Sequence, residues 1–271
     1  MQTSFLSFRS SKLHYCWSGA GSKILLCLHG YGESEGTFHF LEKYISKDYT
    51  VVAIDFPFHG LTQWEEGPVF TNADLLKIVD DIRSKHGNAD SRFTIVGYSM
   101  GGRIALQLLQ TIPEQIDKLI LLAPDGLKVN FWYWIATQTY IGNRLFNFTM
   151  KHPGWFFFFL QAGNRLKLIN QSVVKFTSYY IHDIMARRQL YERWTCMRKI
   201  RPDLTLIKKI INEHKIPVRL LYGRYDRIIR YERGEKFRHG IESFCTLQII
   251  QTGHQVLQEK HVNQIIQLIQ S

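Results

Sequence analysis

The sequence predicts an α/β chain in which a mostly parallel, eight-stranded sheet is flanked by helices. Short apolar runs alternate with stretches of helical periodicity, and most of those runs are apolar throughout rather than at every second residue. A strand covered by helices on both faces has no polar side to display, so continuous apolarity marks the interior of a parallel sheet. The size agrees: 271 residues, 45% hydrophobic and 21% charged, suit one large domain or a core with an inserted subdomain, and exclude disordered and fibrous classes.

Taken in order, the opening stretch SFLSFRSSKLHYCWSG does alternate, which predicts a two-stranded antiparallel edge. The remaining six strands are KILLCLHG (Lys23–Gly30), TVVAIDF (Thr50–Phe56), FTIVGYS (Phe93–Ser99), KLILLAP (Lys118–Pro124), VRLLYG (Val218–Gly223) and CTLQII (Cys245–Ile250). Helical spacing of apolar residues places helices near Thr37–Ser46, Asn72–His86, Met100–Thr111, Asp203–His214, Arg230–Arg238 and Val262–Gln270. After the strand ending at Ala123 the pattern turns wholly helical, with Leu190, Trp194 and Met197 as one periodic set. Residues 126–202 therefore read as an inserted helical lid, its helices joined at IGN, HPG and AGN, leaving 1–125 and 203–271 as the core.

Charge is concentrated in the insertion. Of the formal net charge of +11, the segment Leu127–Arg201 carries +10, from twelve Lys/Arg against Asp183 and Glu192 alone, and it is also the most aromatic part of the chain. No RNA- or DNA-binding motif accompanies this charge, so nucleic acid is not an expected partner. Cys16, Cys27, Cys196 and Cys245 show no CxxC or other metal spacing and read as buried reduced thiols; neither a metal nor a cofactor is expected. The start MQTSFLSFRSSK lacks the apolar core of a secretory signal, and the longest apolar run, Trp155–Leu160, falls far short of the ~20 residues that span a bilayer. A cytoplasmic setting is expected.

One stretch carries the chemistry. In FTIVGYSMGGRIALQLLQ a strand becomes a helix with almost no loop, so the apex residue takes strained dihedrals and its neighbours two before and two after must be small. Gly97 and Gly101 meet that need around Ser99, and Gly-Tyr-Ser-Met-Gly is the G-x-S-x-G nucleophile elbow. The positive end of the helix from Met100 points at the same hydroxyl. With this motif the chain resembles the α/β-hydrolase family over essentially its whole length.

The resemblance implies partners for the serine. The loop HGYGES (His29–Ser34) matches the one that supplies an oxyanion-hole amide, here Tyr31, beside the amide of Met100. DFPFHG (Asp55–Gly60) is similar to the family's D-x-P-G-H-G turn, with Phe58 in place of glycine, and His29, Asp55 and His59 are given structural roles. The family order of serine, acid and histidine falls on Ser99, Asp226 in GRYDRII and His254 in QTGHQVLQE; Asp125, just past the KLILLAP strand, is the rival acid. The chain departs from the pattern at DRIIR, where Val-Pro is usual, and at Lys260.

These residues imply a serine hydrolase acting on a carboxylic ester or thioester through an acyl-serine. The same triad also runs lyase chemistry and C–C bond hydrolysis, and a relic triad occurs in ligand receptors. Arg103, four residues after Ser99, is similar to a carboxylate-binding arginine of the pyruvate-eliminating synthase of the menaquinone pathway, and makes it a candidate substrate-binding residue for a small anionic, partly apolar substrate. The basic aromatic insertion has three readings: a packed lid with solvated charges, a grip on such a substrate, or a peripheral contact with an anionic membrane led by GWFFFFL.

Overall fold

The computed structural model describes residues 1–87, 91–128, 131–165 and 181–271. The chain divides into two compact units: Met1–Glu66, Phe70–Lys128 and Lys199–Ser271 form the first, Gly67–Val69 and Val129–Arg198 the second.

The first unit is built on one eight-stranded sheet in the order β1-β2-β4-β3-β5-β6-β7-β8. The alternating N-terminal stretch gives β1 (Gln2–Phe8) and β2 (Ser11–Ser18), paired antiparallel, and β2 runs antiparallel to β4 (Tyr49–Ile54). All other pairings, through β3 (Lys23–Leu28), β5 (Phe93–Tyr98), β6 (Ile116–Leu122), β7 (Val218–Gly223) and β8 (Cys245–Ile250), are parallel. The interior strands are apolar because both faces are covered: every residue of β4 and β5 is buried. Full burial of a Leu or Ile side chain stabilises by about 1.5–3 kcal/mol, so the run Ile24–Leu28 in β3 anchors the sheet. At the edge, β8 keeps only Cys245 buried and the rest at most half-buried, which is why Thr246 and Gln248 are tolerated there.

Helices fill the crossovers. Before α2 (Asn72–His86), Thr71 and Asp74 bond each other's backbone amides as a capping box, and α3 (Met100–Thr111) buries most of its surface against the sheet. The helix expected at Thr37–Ser46 is instead a 3₁₀ turn, Glu35–Leu41, running into a single α-turn, α1 (Glu42–Ile45), and Ser34 before it makes no side-chain cap. In the second unit the described residues form α4 (Phe131–Gln138), α5 (Tyr140–Lys151), α6 (Gly154–Arg165) and α7 (Ile184–Cys196). Back in the first unit come α8 (Leu204–His214), capped by Asp203, α9 (Glu232–Arg238) and α10 (Val262–Gln270).

The described residues of the second unit include a small core and a buried cation. Phe146 packs on Tyr191 and Trp194 at 5.4 and 5.7 Å between ring centres. Arg187, only 8% exposed, donates to the carbonyl oxygens of Met150, Ile181 and His182 at 2.8, 2.6 and 3.0 Å, so one of the basic residues ties the helices together rather than facing water. Of the expected turns only HPG joins two helices. IGN lies in the first turn of α5, where Thr139 caps the Gly142 amide, and AGN lies within α6, whose glycine costs only about 1 kcal/mol. Among the described residues no helix is long and apolar enough to cross a membrane.

Candidate active site

The parallel strands end together at one edge of the sheet, and the residues of interest sit in the turns there. Ser99 is the hinge between β5 and α3, at φ 49° and ψ −113°, a backbone conformation that an L-residue holds only under constraint. The constraint comes from three hydrogen bonds: the Ser99 amide donates to the Leu122 carbonyl at 3.0 Å, while the Ser99 carbonyl accepts from Gly102 and Asp125 amides at 2.9 and 2.8 Å. A Cβ on Gly97 would sit 2.6 Å from the Gly101 carbonyl oxygen, and one on Gly101 would sit 1.9 Å from that of Leu28. Both glycines are therefore required by close backbone approach. The second contact also presses the start of α3 against the end of β3, where the loop carrying Tyr31 begins.

Asp226 and His254 follow β7 and β8. His254 Nε2 lies 3.1 Å from Ser99 Oγ, and His254 Nδ1 lies 2.7 Å from Asp226 Oδ2. The other oxygen, Asp226 Oδ1, accepts from the amides of Ile228 and Ile229 at 2.8 and 2.9 Å. The helix expected from Arg230 starts at Glu232, two residues later. Burial alone would raise the Asp226 carboxyl, but the His254 ring and the two amides reverse this, leaving it below the ordinary carboxylate value. An ionised Asp226 then fixes the ring with its proton on Nδ1 and a lone pair on Nε2 facing the hydroxyl.

The rival acid is elsewhere. Asp125 Oδ1 accepts from its neighbour's amide, Gly126 N, at 2.7 Å, and its Oδ2 lies 3.6 Å from Nε of Arg103. Arg103, with 11% of its side chain exposed, thus keeps company with a carboxylate of the protein itself.

The residues given structural roles form a buried network behind the loop. The amide of Phe56 donates to His29 Nε2 at 3.1 Å, so the His29 proton is on Nδ1, which donates to the Gly30 carbonyl at 2.8 Å. Asp55 accepts from the amides of Glu35 and Leu61 at 2.8 and 2.9 Å. Phe58, in the glycine position of its turn, holds φ 63°.

Sequence reasoning assigned nothing to Glu33 or Tyr98. Burial pushes the Glu33 carboxyl above the ordinary range, opposed only in part by the Gly30 amide, His254 and Thr37. Tyr98 donates its hydroxyl to the His254 carbonyl at 3.3 Å, and its ring lies tilted against the imidazole, at 5.5 Å between centres. An acid inside HGYGES, and an aromatic in the x position of the elbow, were the available signals.

Comparison with known proteins agrees with this architecture. The sequence profile described as alpha/beta hydrolase fold matches residues 23–261, most of the chain. The chain belongs to the alpha/beta hydrolase fold family. Within it, the chain is similar to a serine hydrolase-like protein of Danio rerio, 34% identical over 115 residues, 41% of this chain but only 33% of that one. The uncharacterized hydrolase YugF of Bacillus subtilis is 25% identical over 251 residues, covering 91% of this chain and 88% of YugF. Among solved structures, a carboxylesterase of Nitrososphaera gargenis superimposes with a TM-score of 0.69 at 15% identity, over 98% of this chain and 97% of that one, which shows the shared fold.

Proposed function

We propose that this family member is a serine hydrolase that cleaves a carboxylic ester or thioester through an acyl-Ser99 intermediate. The observation that carries the proposal is the unbroken chain Ser99 Oγ, His254, Asp226, at 3.1 and 2.7 Å. As Ser99 Oγ attacks the acyl carbon, its proton passes to His254 Nε2, and Asp226 stabilises the imidazolium so formed. The negative oxygen of the tetrahedral intermediate is received by the amides of Met100 and Tyr31; a donor of this kind is worth about 10²–10³ in rate. His254 returns the proton to the departing alcohol or thiol, and a water activated by the same nitrogen then releases the acid and restores the serine.

Arg103 has less support as a grip on an anionic substrate, since Asp125 sits beside it, and the lyase alternative loses ground with it. The test is intact mass after incubation with a fluorophosphonate, for wild type, Ser99→Ala and His254→Ala. One adduct on wild type and none on the variants is expected. No adduct on folded wild type would overturn the proposal and favour a ligand receptor.

A second reading concerns where the enzyme works. In the second unit Phe131, Trp132, Ile141, Phe148, Phe158 and Ile184 are all more than half exposed, beside a large excess of Lys and Arg. Aromatic and basic groups together favour the interface of an anionic bilayer. Sedimentation with phosphatidylserine vesicles but not with phosphatidylcholine vesicles, abolished by high salt, is expected; equal recovery from both would reject it.

A further inference from the structure

On the far side of the Asp55 network, three side chains with metal-binding atoms converge. Alternation along β2 puts His14 and Cys16 on the same face, opposite Phe5 and Thr3 of β1, and both are buried, at 0% and 2% exposed. Glu35 opens the 3₁₀ turn that follows the Tyr31 loop and comes to the same place. His14 Nε2 lies 3.9 Å from Cys16 Sγ, Cys16 Sγ lies 3.4 Å from Glu35 Oε1, and all three atoms fall within 4.8 Å of one another.

We propose that His14, Cys16 and Glu35 form a binding site for a divalent transition metal, with Zn²⁺ the best chemical match. Zinc holds imidazole nitrogen and carboxylate oxygen at about 2.0–2.2 Å and thiolate sulfur at about 2.3 Å, which sets tetrahedral ligand separations of about 3.3–3.6 Å. The Cys16–Glu35 and His14–Cys16 separations, 3.4 and 3.9 Å, are close to these values and the third is within 4.8 Å, so side-chain rotations would bring the three atoms to a common ion. The histidine is already prepared. Asp55 Oδ2 lies 2.7 Å from His14 Nδ1, and Asp55 otherwise accepts from backbone amides, so Nδ1 donates and Nε2 keeps its lone pair toward Cys16 and Glu35. A carboxylate behind a ligating histidine is the arrangement that fixes ring and tautomer in zinc sites.

Charge points the same way. Among the described residues, the basic side chains recorded within 4 Å of the Asp55 and Glu35 carboxylates are the histidines His14, His29 and His39. A thiolate and the Glu35 carboxylate would together balance a divalent ion. His39, whose Nε2 is 3.7 Å from Glu35 Oε1 and whose side chain is 47% exposed, or a water, would complete four ligands. Thr3 Oγ1, hydrogen-bonded to His14 Nε2 and Cys16 Sγ at 3.2 and 3.3 Å, would turn aside as the ion enters. The site lies in the β1–β2 edge rather than in the turn of Ser99, so its role is to clamp that edge to the segment following the Tyr31 loop. The sequence hides it because H-x-C in a strand and a glutamate nineteen residues on make no linear metal motif.

The test is titration of chelator-treated full-length protein with Co²⁺ and Zn²⁺. Wild type should bind one Co²⁺ with a near-ultraviolet thiolate charge-transfer band and visible bands of tetrahedral cobalt, and Zn²⁺ should displace it and raise Tm. Cys16→Ser should lose the charge-transfer band, and Glu35→Gln should bind about 100-fold more weakly, at least as large a loss as second-shell changes cause. Fluorophosphonate labelling of Ser99 and circular dichroism check that each variant is folded, and Glu35→Gln serves if Cys16→Ser is not. No one-to-one band in wild type, or the same affinity in wild type and folded variants, would overturn the site.

Discussion

Asparagine at position 226 separates the charge of this side chain from its shape. The two oxygens have different duties: Oδ1 accepts two backbone amides, at 2.8 and 2.9 Å, and Oδ2 accepts His254 Nδ1 at 2.7 Å. Asparagine has one oxygen, and the two fixed N–H groups of Ile228 and Ile229 claim it, because the opposite rotamer would set the NH₂ against both. The NH₂ then faces Nδ1 and donates to it. The ring proton is forced to Nε2, where it points at Ser99 and blocks proton transfer. Loss of the working tautomer in a triad of this kind lowers kcat about 10⁴-fold, which is about 5.4 kcal/mol at 1.36 kcal/mol per decade. The assay is kcat for a short p-nitrophenyl ester together with the rate of fluorophosphonate labelling, with melting curves to check the fold. A loss below tenfold in both, in an Asp226→Asn protein that melts like wild type, would refute the tautomer reasoning. Asp125→Asn, which leaves the Ser99 and His254 contacts in place, should change neither rate appreciably.

The Glu33 carboxyl is raised by burial, so the folded state holds its proton above the pH at which the unfolded chain releases it, and stability is lost as pH rises through the folded value. Glu33→Gln should therefore gain Tm over wild type on going from acid to neutral pH, and a constant difference would show that burial is not the cause. Phe58→Gly relieves a left-handed φ of 63°, worth about 1–2 kcal/mol, and should raise the denaturant midpoint; a fall would mean the ring's contacts outweigh the strain. Gly101→Ala places a Cβ 1.9 Å from the Leu28 carbonyl oxygen, costs about 1–3 kcal/mol of stability and slows labelling of Ser99 by moving the elbow. Labelling at the wild-type rate would show that the turn can open without loss.

Local rules carried most of the fold. Continuous apolar runs located the six strands, and alternation located the N-terminal hairpin, because burial on two faces or one leaves that mark on every residue. The small-residue requirement around Ser99 was legible because both glycines are forced by backbone contacts within a few residues of the turn. Asp226 and His254 were assigned by the family's order along the chain, each after a recognisable strand, and the structure brings them together with Ser99. What the sequence could not show depends on side chains meeting from distant strands. Glu33 is perturbed by packing near Tyr98 and His254, and the cluster of His14, Cys16 and Glu35 exists only through the pairing of β1, β2 and β4. The start of α9 was placed two residues early, at Arg230 instead of Glu232.

His254 follows β8, which stands at the outer edge of the sheet and pairs with β7 alone. Its bond to Ser99 closes a loop of 155 residues. During synthesis Ser99 leaves the ribosome long before β8 and His254, and until β8 docks it lacks its hydrogen bond to the imidazole. On the proposed function, a nascent or truncated chain would be inert, and so would one whose last strand has come loose. Covalent labelling of Ser99 would then require a docked β8, and would report on folding as well as on catalysis.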